Sequence, residues 1–119
     1  MIARADAEEF AAHWVAAWNA HDLDEIMSHY TDDVEIASPV VVQLLGAPDG
    51  RVAGKTALRA YFARGLAAFP ELRFELKSVF VGTDTVVLVY ANQRGTTTAE
   101  VMELGASGRV KRMRATYSG

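Results

Sequence analysis

Glu100 is a carboxylate placed where a strand calls for apolar side chains: its neighbours read Thr98-Ala99-Glu100-Val101-Met102. A carboxyl group held among such residues loses water. Its pKa then rises, and it can act as acid, base or neutral donor near neutral pH. Two arrangements satisfy the alternation of the strand. Glu100 faces inward with Thr98, Met102 and Leu104, or it faces outward and pairs with Arg112 or Arg114. Glu103 has the opposite parity and adjoins a turn at Gly105, so it is the more easily solvated acid, which favours Glu100 inside. Tyr90 and Asn92 share a face of the preceding strand with Leu88. A tyrosine and an amide there suit the orienting of a substrate oxygen, though an aromatic core residue followed by a turn asparagine is the plainer reading and stands ahead. Glu100 and Tyr90 are thus the candidate catalytic pair.

Other chemistry has less to stand on. His13, His21 and His29 fall at no zinc-binding spacing and there is no cysteine, so neither metal nor thiol chemistry is expected. Gly54-Lys55-Thr56 lacks the upstream glycine of a phosphate-binding loop. Asp22, Asp32 and Asp33 read as caps and turn formers. A formal net charge of −3 gives no reason to expect nucleic acid. The one basic cluster, Arg109, Lys111, Arg112 and Arg114, reads as a solvated or salt-bridged strand face. No run approaches the roughly 18 apolar residues of a membrane helix, and the first ten residues lack the apolar stretch of a secretory signal. No membrane association and a cytoplasmic location are the expectation.

The elements that must position these groups are short and regular. A length of 119 residues predicts one domain spanning 1–119. Residues 6–20 carry Phe10, Trp14, Val15 and Trp18 at helical spacing. Asp22 then caps a second helix, with Glu25 three residues on, that presents Leu23, Ile26, Met27 and Tyr30. Val34 to Ala37 reads as a strand stopped by Pro39. The apolar segment 40–45 either extends that strand or forms a flap. Gly54 to Phe69 is a third helix with Leu58, Tyr61, Phe62, Leu66 and Phe69 as its stripe, and Pro70 stops it. The period then changes to two, and turns near Gly82, Asn92–Gly95 and Gly105–Gly108 divide four strands near 71–81, 85–92, 96–104 and 109–117. Short connections make them antiparallel. The predicted order is α-α-β-α-β-β-β-β. Val86-Val87-Leu88-Val89-Tyr90 is apolar on both faces, so the outer face also wants cover. A second copy of the chain, in a homodimer through the outer sheet face, is the expected cover.

This pattern resembles the SnoaL-like, or nuclear transport factor two-like, superfamily that includes ketosteroid isomerase and shares a cystatin-like fold. The likeness is carried by Trp14-Val15-Ala16-Ala17-Trp18-Asn19-Ala20-His21-Asp22-Leu23-Asp24, by Tyr30-Thr31-Asp32-Asp33-Val34, by Gly54-Lys55-Thr56-Ala57-Leu58 and by Gly108 to Ala115. It implies an α+β cone: a strongly curved mixed or antiparallel sheet wrapped around three helices, with an apolar pocket at the open end. Against ketosteroid isomerase, the first-helix tyrosine of the oxyanion hole aligns with Trp14. The general-base aspartate aligns with Ser38, and the protonated aspartic acid aligns approximately with Glu100. One carboxyl group of three catalytic groups is retained, and a serine cannot replace a base.

The pocket implied by the resemblance takes its walls from Trp14, Trp18, Tyr30, Ser38, Tyr61, Leu88, Asn92, Met102, Met113 and Tyr117. The expected ligand is a small lipophilic molecule and no cofactor is expected. Three functions fit: acid–base catalysis such as isomerisation, dehydration or cyclisation through Glu100; binding or sensing without turnover; and dimerisation around a vestigial pocket. The fold itself hosts all of them.

Overall fold

A computed structural model describes residues 1–119. Helix α1, Arg4–Asn19, places Ala7, Ala11, Trp14, Ala17 and Trp18 on one buried stripe. It ends where His21 takes a left-handed φ of 55°. Asp22 caps the short helix α2, Leu23–Met27, by accepting from the Glu25 N–H at 3.2 Å. Strand β1, Tyr30–Ala37, starts four residues earlier than the sequence suggests. Tyr30 belongs to it, not to α2, because it pairs with Val110 of the last strand.

Residues 40–45 are neither a strand extension nor a flap. They form helix α3, Pro39–Leu45. Ser38 accepts from the Val40 N–H at 3.2 Å, and Pro39 occupies the first helical position, where its missing N–H costs nothing. Gly46 closes the helix at φ 66°, a conformation glycine adopts without strain. Three consecutive valines, stiff and strand-favouring, mask this cap in the sequence. Strand β2, Arg51–Ala53, then pairs antiparallel with β1, and helix α4, Lys55–Ala68, buries Leu58, Tyr61 and Phe62.

Four antiparallel strands follow: β3, Glu75–Val81; β4, Thr85–Ala91; β5, Thr97–Leu104; and β6, Val110–Tyr117. β3 begins at Glu75 instead of near 71. Asn19 of α1 grips the Phe74 backbone from both sides, donating to its carbonyl at 2.9 Å and accepting from its N–H at 2.7 Å. That clamp takes the hydrogen bonds a neighbouring strand would use. The sheet is open, curved and mixed, in the order β2-β1-β6-β5-β4-β3, with β1 and β6 parallel. One core of 22 buried residues joins the inner sheet face to the helices. The α+β architecture predicted from sequence holds, with a fourth helix and a further strand inserted between β1 and the long helix α4. No helix is long and apolar enough to cross a membrane.

Candidate functional site

Period-two alternation decides which side chains enter the cone. Along β5, Thr98, Glu100 and Met102 are buried, while Val101 is exposed. Glu103 turns outward, 3.0 Å from Arg112 and 3.6 Å from Lys111. Glu100 therefore faces the interior and is only 5% exposed.

Register then supplies its neighbours. Glu100 lies between Leu88 of β4 and Ala115 of β6; in the next row Thr98 lies between Tyr90 and Tyr117. From that row the Tyr90 hydroxyl donates to Glu100 Oε1 at 2.8 Å. The other carboxyl oxygen, Oε2, is buried and has no protein partner. Burial pushes the Glu100 pKa up to about 7, against the opposing pull of the Tyr90 hydrogen bond. Burial also raises the Tyr90 phenol, and the neighbouring Glu100 charge raises it further, so Tyr90 keeps its proton and donates. With Oε1 accepting, the proton of the neutral acid sits on Oε2.

Glu100 lines a cavity of about 100 Å³, bounded by Trp14, Trp18, Phe62, Phe74, Tyr90 and Met113 among others. The aromatic wall is tightly stacked. Trp14 lies nearly parallel to Phe74 at 5.8 Å, Phe74 sits 4.2 Å from Tyr90, and Trp18 meets Phe62 edge-on at 4.8 Å. A lining of this kind suits small, largely apolar ligands.

Of the residues singled out from sequence, Trp14, Trp18, Ser38, Tyr61, Tyr90, Asn92, Glu100, Met113 and Tyr117 all line this cavity. Tyr30, Leu88 and Met102 do not. Each is fully buried, and periodicity tells which face a residue occupies but not how deep it lies in a cone. Tyr30 packs behind Trp14, whose indole N–H donates to its hydroxyl at 3.0 Å. Asn92 has a different task from orienting a ligand. Its amide donates to Thr96 Oγ1 at 2.8 Å and to Thr98 Oγ1 at 2.9 Å, and its oxygen accepts from the Arg94 N–H at 3.1 Å. Both amide hydrogens are thus committed to shaping the β4–β5 turn.

That turn also brings Gln93 and Arg94 to the cavity, which sequence reasoning missed. The Gln93 Oε1 atom is buried without a partner, and the Arg94 guanidinium stands 5.7 Å from the Tyr117 ring centroid. Nothing in a turn sequence announces either placement. Phe62, Leu72 and Phe74, by contrast, lie in the same apolar phase as residues already chosen, and that phase was the available signal. The histidines stay outside: His13 is exposed, His21 is bonded to the Leu72 carbonyl at 2.9 Å, and His29 to the Glu25 carbonyl at 2.9 Å.

An open mixed sheet around α1 and α4, with a buried acid facing an aromatic cavity, defines the ketosteroid-isomerase-like class of α+β cones. Within that class the SnoaL-like domain family matches residues 11–117, and the chain belongs to this family. A SnoaL-like protein of unknown function from Burkholderia thailandensis is 42% identical, with a TM-score of 0.95 over 99% of this chain and 98% of that one. TerC, crystallised with polyporic acid, is 19% identical, with a TM-score of 0.75 over 95% of this chain and 92% of that one. A protein provisionally described as a ketosteroid isomerase, from Kribbella flavida, is 12% identical, with a TM-score of 0.75 over 97% of this chain and 79% of that one. The latter two share the fold alone. No curated protein matches the chain.

Proposed function

We propose that this SnoaL-like domain takes a small lipophilic molecule into the cone and that Glu100 moves a proton on it, in an isomerisation, dehydration or cyclisation. The observation that carries this reading is Glu100, a buried acid in the cavity lining whose Oε2 is unpartnered while Tyr90 holds its Oε1. A buried polar atom in a native fold calls for a partner, and a ligand supplies one. A carboxyl group poised near pH 7 serves equally as acid and base. Tyr90 is the positioning residue: its hydroxyl holds Oε1 and leaves Oε2 as the free oxygen. TerC lends further support, as a protein of this fold crystallised with polyporic acid.

A screen of lipophilic ketones, epoxides and polyketide-like compounds by thermal shift, followed by assay of the binders, tests the proposal. The expected result is a Glu100 midpoint near 7 by carboxyl-detected NMR. A binder should also be converted, at a rate that Glu100→Gln lowers by roughly 10²–10⁴-fold. An ordinary glutamate midpoint removes the acid–base role.

Binding without turnover is the second reading, and two observations favour it. The positions of the isomerase tyrosine and base are occupied by structural groups: the Trp14 N–H is spent on Tyr30, and Ser38 caps α3. Binders that raise the melting temperature but emerge unchanged decide for it.

We also propose a homodimer through the outer sheet face. Phe80, 60% exposed, Val87 and Val101 lie in register across β3, β4 and β5, with Val89 and Ala99 in an adjacent row. A contiguous apolar strip on an otherwise polar sheet marks a contact surface. Light scattering at micromolar concentration should give twice the 12.9 kDa chain mass, and Phe80→Glu should return it to the monomer. A wild-type monomer excludes this interface.

A further inference from the structure

Glu100 is one of two polar stations in the cavity, and the second is built of hydroxyls. Ser38 follows β1, Tyr61 lies on α4 and Tyr117 ends β6, yet all three line the cavity with Glu100. The register shows how the stations face each other. Glu100 is paired with Ala115, and the parallel pairing that sets Ala37 beside Arg114 carries Ser38 to the far side of Ala115. Acid and serine therefore stand two strands apart, roughly 10 Å between backbones. Between them Ala115 offers only a methyl group, and the cavity runs over it.

The three hydroxyl-bearing side chains line the same cavity and are suited to donate. Ser38 Oγ already accepts from the Val40 N–H, which leaves its own hydrogen free. Tyr61 and Tyr117 both stand near enough to Ser38 for its hydroxyl to pull their phenols down. Burial outweighs that pull and keeps both protonated, with Tyr117 pushed up to about 12. Arg94, beside the Tyr117 ring, adds a positive charge at the same end. Three donors and a cation gather where an electron-rich oxygen would rest. Charge-assisted hydrogen bonds of this kind are the strong ones.

We propose that the Ser38, Tyr61 and Tyr117 hydroxyls form a subsite for an ionised, phenol-type oxygen, with the ring of the ligand lying over Ala115 toward Glu100. This rests on the reading that the cone binds a small lipophilic molecule, and it adds the chemical class: an unsaturated ring bearing an acidic hydroxyl. Ala115 becomes the residue that sets how large a ring can lie between the stations.

4-Nitrophenol is the probe, because its absorbance reports its own ionisation. At a pH where the free probe is mostly neutral, the bound probe should show the phenolate spectrum. Tyr61→Phe and Tyr117→Phe, which keep their rings, should each weaken binding by about tenfold. Ala115→Leu should abolish binding, whereas Glu100→Gln should leave the ionised spectrum in place. A probe that binds as the neutral phenol, or binds the two phenylalanine variants as tightly as wild type, overturns the subsite alone. A probe that does not bind wild type at all overturns the subsite and weakens the cavity reading with it. Circular dichroism of each variant keeps loss of fold apart from loss of binding.

Discussion

Glu100→Gln raises stability at neutral and alkaline pH and leaves it nearly unchanged in acid. The native carboxyl has its midpoint at about 7 against 4.5 for an ordinary glutamate, chiefly through burial. Between those values the folded state holds a proton that the unfolded state has released. Wild-type stability therefore falls as pH rises through this window and levels off above the native midpoint. The accumulated cost is at most about 3 kcal/mol. Glutamine is close in shape to the neutral acid and can still accept from Tyr90, so it carries none of this penalty. Denaturant unfolding of both proteins across the window should show a gap that opens from near zero and reaches a plateau. A wild-type curve flat between the two midpoints, or a glutamine variant less stable at every pH, sinks this account of the site. The same measurement says how much stability the domain gives up to keep an acid on the cavity wall.

Trp14→Ala is the most damaging single change expected. Trp14 is 1% exposed, stacks on Phe74, leans on Tyr90 and Trp18, and donates to Tyr30. Truncating so large a buried side chain costs about 3–5 kcal/mol, a large part of the roughly 5–15 kcal/mol available to a domain. Trp14→Phe keeps an aromatic wall and loses the N–H to Tyr30, so about 1–2 kcal/mol is expected. Urea unfolding of the two variants measures both. A cost below about 1 kcal/mol for the alanine variant means that the wall collapses freely, and that Trp14 is not what holds the cavity open.

What the sequence disclosed, and what it withheld, follows from the range of each signal. Alternation along β5 is local, and with Glu103 at opposite parity it placed Glu100 on the inner face where the structure has it. The Asp22 cap is equally local and is present as read. α3 was missed although its cap and first residue, Ser38-Pro39, were in plain sight, because the following valines favour a strand. Leu72 and Phe74 keep the strand phase, yet Asn19, 55 residues away from Phe74, takes the hydrogen bonds. Leu88 and Tyr90 share phase and face, but only Tyr90 reaches the cavity. Gln93 and Arg94 depend on how one turn is aimed, and only the full register fixes that.

The parallel pairing of β1 with β6 has a consequence for how the molecule comes into being. β6 is made after the other five strands of the sheet, yet it lies between β1 and β5 near its middle. Strands β3 to β5 can form an antiparallel meander as they leave the ribosome, but β1 and β2 must wait some eighty residues for the partner that joins them to it, Tyr30 meeting Val110. Such distant pairing is slow to close. Until it does, the unpaired backbone edges of two half-sheets stay open to other chains. Synthesis thus leaves a vulnerable interval until β6 has emerged, when a chaperone would have the most to shield.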